Sequence, residues 1–206
     1  YTAITQAWII VYIVSLQRVQ EPTNLDVRRL NAVTRKVQAK PTQLRYPHMT
    51  PTGEVDIHTD SGYRRMQEAE DATSFKGYGM RGMNLLRVGK HKDQRRVHLI
   101  DSIAKSHRLT IRSSYGAELL GASHGFDDAY PTIMTLHELS HGVMKAEELK
   151  LFREQGGLPL KVNLVIDAES VYKSISSRDL KVPAEKTLLG HVVWIREMLD
   201  LGLIDS

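Results

Sequence analysis

Val55-Asp56-Ile57-His58-Thr59-Asp60-Ser61-Gly62 sets apolar or β-branched residues at 55, 57 and 59 against polar ones at 56, 58 and 60. Alternation with a period of two marks a strand with one face in a core. Two further strands follow closely. Residues 77–89, from Gly77-Tyr78-Gly79-Met80 to Leu85-Leu86-Arg87-Val88-Gly89, read as the second. Val97-His98-Leu99-Ile100-Asp101-Ser102-Ile103 reads as the third, joined to it by a basic turn at 90–96. Three short strands in succession predict an antiparallel meander. Val162 to Ile166 is an almost continuous apolar run of strand length. Such a run predicts a central strand covered on both faces.

Helical patterns surround these strands. Ser113 and Ser114 are good N-caps, and Leu119, Ala122, Phe126, Ala129, Ile133 and Leu136 then recur at three and four residues, one apolar face. Pro131 is expected to kink this helix or begin a second one. Gly156-Gly157 marks a turn, Glu169 to Ser176 reads as a helix, and Pro183-Ala184-Glu185 opens a last one with Leu188, Val192, Ile195 and Leu199 inward. Residues 1–46 also read as helical: Thr23 and Asp26 resemble a capping box, with Leu30, Val33 and Val37 following. Pro41 ends that helix and 47–53 reads as a linker. Two domains are therefore expected, 1–50 and 51–206. The order β-β-β-α-β-α-α belongs to a mixed α/β sheet with helices packed on both sides.

A hydrophobic content of 41% with 25% charged residues describes an ordinary globular protein able to bury a core. The absence of cysteine excludes disulfides and thiolate metal sites. Ala7 to Val14 is apolar but too short to span a bilayer, and no basic stretch precedes it, so no membrane partner is expected. The start at Tyr1 rather than Met reads as a fragment or processed product. Charge is unevenly spread. Between 87 and 112, eight Lys or Arg face only Asp93 and Asp101, an asymmetry that suits a polyanionic partner.

Three acids carry the chemistry. Asp60 is expected to end the first strand and Asp167 the apolar one, with Glu118 in the first turn of the helix between them. If the two strands are neighbours, the three carboxylates meet at one sheet edge. Carboxylates so placed raise one another's pKa unless cations neutralise them, and Mg²⁺ suits a hard oxygen site of this kind. Two ions about 4 Å apart would activate a water and stabilise the leaving oxygen of a phosphodiester. Asp56 lies on the same face as Asp60 but about 13 Å away, and reads as structural.

These markers resemble, in order, the ribonuclease H region of a Ty1/copia-type LTR-retrotransposon polyprotein, with the end of its reverse-transcriptase region before it. His58-Thr59-Asp60-Ser61 is similar to the Asp motif closing the family's first strand. Arg112-Ser113-Ser114-Tyr115-Gly116-Ala117-Glu118-Leu119-Leu120 and Val165-Ile166-Asp167-Ala168-Glu169-Ser170 resemble its next two markers. The stretches Leu30 to Arg35, Leu44 to Pro47 and Glu185 to Glu197 extend the resemblance over nearly the whole chain. It implies an RNase H-like sheet, its first three strands antiparallel and the fourth parallel, and a reverse-transcriptase remnant over 1–50. It also implies a nuclease cutting the RNA of an RNA–DNA hybrid. Asp60, Glu118 and Asp167 would be its catalytic carboxylates, holding two Mg²⁺ (or Mn²⁺) ions. Lys90, Lys92, Arg95, Arg96, Arg112 and Ser113 are the expected nucleic-acid contacts. The family continues into a further strand and a fourth acid, so the sheet is expected to lack its last strand where the chain stops at Ser206. The implied partners are the hybrid, the rest of the reverse transcriptase and a possible larger assembly. The implied compartment is intracellular, cytoplasmic or nuclear. The alternative is a catalytically impaired retroelement-derived module that binds nucleic acid or serves as a structural subunit.

His137-Glu138-Leu139-Ser140-His141 competes for attention, because H-E-x-x-H on a helix can bind zinc with the glutamate as general base. No third histidine follows at the required spacing, although Glu169 could serve in principle. Structural or surface histidine is the preferred account.

Overall fold

A computed structural model describes residues 13, 14, 16, 21–39, 44–65, 77–109, 111–156, 160–180 and 182–205. The strands are β1 (Thr50–Arg65), β2 (Gly77–His91), β3 (Gln94–Ser106) and β4 (Lys161–Ile166). The helices are α1 (Asn24–Ala39), α2 (Ser114–His141), α3 (Ala146–Gln155), α4 (Glu169–Ser176) and α5 (Leu189–Asp200). The sheet order is β3-β2-β1-β4, with β1, β2 and β3 antiparallel and β4 parallel to β1. That is the mixed α/β sheet the pattern predicts, with the RNase H-like strand arrangement the resemblance implies. The N-terminal part of the helix expected over 1–46 falls mostly outside the described residues.

The period of two in β1 does what alternation requires. Val55, Ile57, Thr59 and Ser61 are buried, while His58, Asp60 and Gly62 are exposed on the other face. The buried face meets α2, whose approach depends on two glycines one turn apart. A Cβ on Gly121 would collide with the Ser61 hydroxyl, and one on Gly125 with the Thr59 methyl. Leu119, Ala122, Phe126, Ala129 and Ile133 complete the buried stripe, joined by Val171 and Ile175 of α4 and Val192 and Ile195 of α5. The Ser113 side chain caps α2, accepting the Gly116 N–H at 3.0 Å. No helix among the described residues is long and apolar enough to cross a membrane.

Several expectations are corrected. The supposed linker leads straight into β1 at Thr50. The residues before it lie along β3, where the Tyr46 hydroxyl donates to the Leu99 carbonyl at 2.9 Å and His98 Nε2 lies 2.8 Å from the Pro47 oxygen. β1 does not end at Asp60 but runs to Arg65, because its ladder with β2 continues to Gly77. The turn between β2 and β3 is only Lys92-Asp93, with Lys92 at φ 47°, so Lys90, Arg95 and Arg96 belong to the strands. α2 continues through Pro131 without interruption, so Pro131 begins no second helix. The last helix begins later than Pro183, through a 3₁₀ turn at Lys186–Leu188. β4 is not covered on both faces: Val165 is 39% exposed, and among the described residues its outer edge meets only a parallel bridge from Asp205 to Asn163.

Replacing Gly125 by leucine should force α2 away from Thr59. Overpacking of this kind costs about 1–3 kcal/mol, so thermal denaturation should show a clearly lowered Tm. An unchanged Tm would mean that α2 does not depend on this close approach.

Candidate metal centre

Close packing of α2 on β1 carries Glu118 down to the level of Asp60. In the parallel β1–β4 ladder, Thr59 pairs with Ile166, so Asp167 emerges beside Asp60 as β4 ends. The result is a cluster in which Asp60, Glu118 and Asp167 each present a carboxylate oxygen within 4.8 Å of the others. Asp60 and Asp167 are exposed and Glu118 is half-buried.

The electrostatics follow from that proximity. Glu118 is pushed up to about 7, first by burial and then by the charges of Asp167 and Asp60. A hydrogen bond from the Ser61 backbone N–H opposes the shift. Ser61 escaped the sequence reading because its contribution comes from the main chain, which side-chain chemistry does not announce. Three carboxylates without histidine or thiolate form a hard oxygen donor set, the kind that suits Mg²⁺, Ca²⁺ or Mn²⁺. A bound cation would remove the repulsion that makes Glu118 hold its proton.

Asp56 takes no part in this cluster. Nearly buried, it accepts from Arg95 at 2.6 Å and from the Asn163 amide at 2.8 Å. Asp205 is likewise remote, paired with Lys161 at the opposite end of β4.

The expected nucleic-acid contacts divide into two groups. Arg112 and Ser113 lie at the start of α2, on the side of the acids, with Arg112 exposed and 4.0 Å from Glu185. Lys90, Lys92, Arg95 and Arg96 sit at the other end of the sheet. Lys90 pairs with Thr50 and Gly82 with Asp60, so the hairpin is about 30 Å along β1 from the acids. Arg95 is already engaged by Asp56.

His137 and His141 stack on the last turns of α2 with ring centroids 4.4 Å apart, and His137 also packs edge-on against Phe152. Glu138, the would-be general base, accepts the Met144 N–H at 3.2 Å beyond the helix end. Among the described residues, the one group of three or more side chains placed to share a metal ion is the acidic one. His137 is buried against the core, and His141, exposed, stacks on it where the helix ends.

No protein-family model matches the chain, and no curated protein matches it. Among solved structures it is similar to the crystal structure of native prototype foamy virus protease-reverse transcriptase, at a TM-score of 0.43 and 12% identity. The similarity covers 95% of this chain and 26% of that one.

The Glu118 shift sets a pH dependence. An acid raised from an ordinary 4.5 to about 7 holds a proton in the folded state that the unfolded chain has already released. Folding is therefore increasingly opposed as pH rises from 4.5 to about 7, and the penalty stays constant above. The metal-free Tm should fall over that range, and less so in Glu118→Gln. Added divalent cation should raise the Tm at pH 8 in the wild type and hardly at all in the variant. Identical pH profiles for the two proteins would show that Glu118 is not the strained group.

Proposed function

We propose that this chain is the RNase H-type endonuclease domain of a retroelement reverse transcriptase, cutting the RNA strand of an RNA–DNA hybrid. Its metals would be two Mg²⁺ or Mn²⁺ ions. The observation that carries this reading is the convergence of three carboxylates from β1, α2 and the end of β4 within 4.8 Å. The order of the mixed sheet agrees with it.

Asp60, Glu118 and Asp167 would hold the ions. Bound there, such ions supply a nucleophile at neutral pH and charge stabilisation for in-line displacement at phosphorus. The protein's own contributions are more specific. The Ser61 N–H fixes the Glu118 carboxylate, and Asp60 and Asp167 keep oxygens open to solvent, where a phosphodiester can approach. Glu118 must give up its proton for a cation to bind, so metal affinity rises with pH through about 7. Arg112, at the start of α2, is placed to meet a phosphate near the cut. The β2–β3 hairpin reaches only a duplex that extends about 30 Å from the cut, or roughly nine base pairs at 3.4 Å each.

Two outcomes follow. Asp167→Asn should lower cleavage of a fluorescently labelled hybrid in Mg²⁺ by about 10²–10³-fold. Equal cleavage by wild type and variant would remove the carboxylates from the mechanism. Joint replacement of Lys90, Lys92 and Arg96 by glutamine should weaken binding of a twenty-base-pair hybrid and flatten its salt dependence. An eight-base-pair hybrid should be unaffected, and equal weakening of both lengths would mean that the hairpin does not lie along the duplex.

A further inference from the structure

Four glycines of the first two strands, Gly62, Gly79, Gly82 and Gly89, fall into two groups. A Cβ on Gly79 would lie 2.7 Å from Ile111 Cδ1, and one on Gly89 would lie 2.6 Å from Met49 Sδ. Packing explains both. Gly62 and Gly82 have no such reason: nothing lies within 4 Å of a Cβ on Gly62, and the nearest atoms to one on Gly82 are carbonyl oxygens at 3.9 Å. Neither has the positive φ that favours glycine; among the described residues that belongs to Gly53, Gly142, Gly156 and Gly202. Glycine inside a strand is destabilising, and commonly marks a place where a ligand or another backbone must come close.

Their positions give the reason. Gly62 lies two residues beyond Asp60, on the same face of β1, and Gly82 is the direct cross-strand partner of Asp60. Paired residues project to the same side, with Cβ positions about 5 Å apart. The Asp60 carboxylate is thus bordered by bare backbone along its own strand and across to β2. This is the face turned away from α2, where His58 and Asn84 are exposed as well.

We propose that Gly62 and Gly82 form the floor on which the sugar–phosphate backbone of the cleaved strand lies, so that they position the substrate against Asp60. The proposal rests on the nuclease reading above and adds a requirement to it. Any side chain at 82 stands beside Asp60, holding the strand off the sheet and the scissile phosphate out of reach of the carboxylates. The glycines touch no metal and transfer no proton.

A size series at position 82 tests this. Gly82→Ala and Gly82→Val introduce no charge, a Cβ at 82 meets nothing closer than 3.9 Å, and valine suits a strand better than glycine does. Tm should be unchanged or raised, and Mn²⁺ affinity by titration calorimetry should match the wild type. Cleavage of the hybrid should fall in steps, with kcat/KM for Gly82→Val down by about tenfold or more, chiefly through a higher KM. A folded Gly82→Val that cleaves like the wild type overturns the floor and leaves the nuclease reading standing. Loss of Mn²⁺ binding in Gly82→Val also overturns it, since the glycine would then act on the metal site. A wild type that binds Mn²⁺ yet neither binds nor cleaves the hybrid overturns both readings.

Discussion

The parallel pairing of β1 with β4 is the constraint on which the site depends. Only that register, running from Glu54 with Lys161 to Thr59 with Ile166, puts Asp167 beside Asp60. Asp56 fixes it from within. Its nearly buried carboxylate needs partners, because an unpaired buried charge is far costlier than an exposed one. It finds the amide of Asn163, its register partner on β4, and the guanidinium of Arg95 on β3. A slip of β4 by one residue would break the bond to Asn163 and turn every side chain of β4 to the wrong face. An acid with no place in the carboxylate cluster is thus what aligns the strands that build it.

The second determinant is the close approach of α2. Gly121 and Gly125 let its backbone lie against Ser61 and Thr59, and Glu118 follows one turn earlier along the same helix. The core beneath, from Ile57 and Met83 through Leu119 and Phe126, drives this docking whatever its cost in charge repulsion. Burial and two neighbouring carboxylates raise Glu118 to about 7. The fold therefore holds together a group of like charges that its own electrostatics oppose, a conflict typical of functional sites. A divalent cation held by the three carboxylates would relieve the conflict that the packing creates.

Periodicity made the β1–β2–β3 meander, the α2 stripe and the β4 run legible, because each rests on local alternation of apolar and polar residues. The errors share a physical origin as well. β1 passes Asp60 because its pairing with β2 continues through Gly62 and Tyr63, which no pattern within β1 encodes. β4 looked central from its apolar sequence, yet Val165 is exposed because little lies beyond it among the described residues. The residues at 90–96 read as a basic turn that would contact nucleic-acid phosphates, and the structure leaves only Lys92-Asp93 of them in the turn. They are contiguous in sequence, but a strand's length separates them from Asp60.

By itself the sequence determined which residues could do chemistry and which segments would be strands or helices, since side-chain type and period are local properties. It also offered His137 and His141 as a less favoured zinc motif beside Asp60, Glu118 and Asp167. The tertiary structure decided between them. It stacks the histidines at a helix end, with Glu138 bound to the backbone of Met144, and gathers acids from positions 60, 118 and 167 within 4.8 Å. Convergence of groups so far apart along the chain depends on strand register and helix docking. Those are set by packing between segments, which no single segment carries.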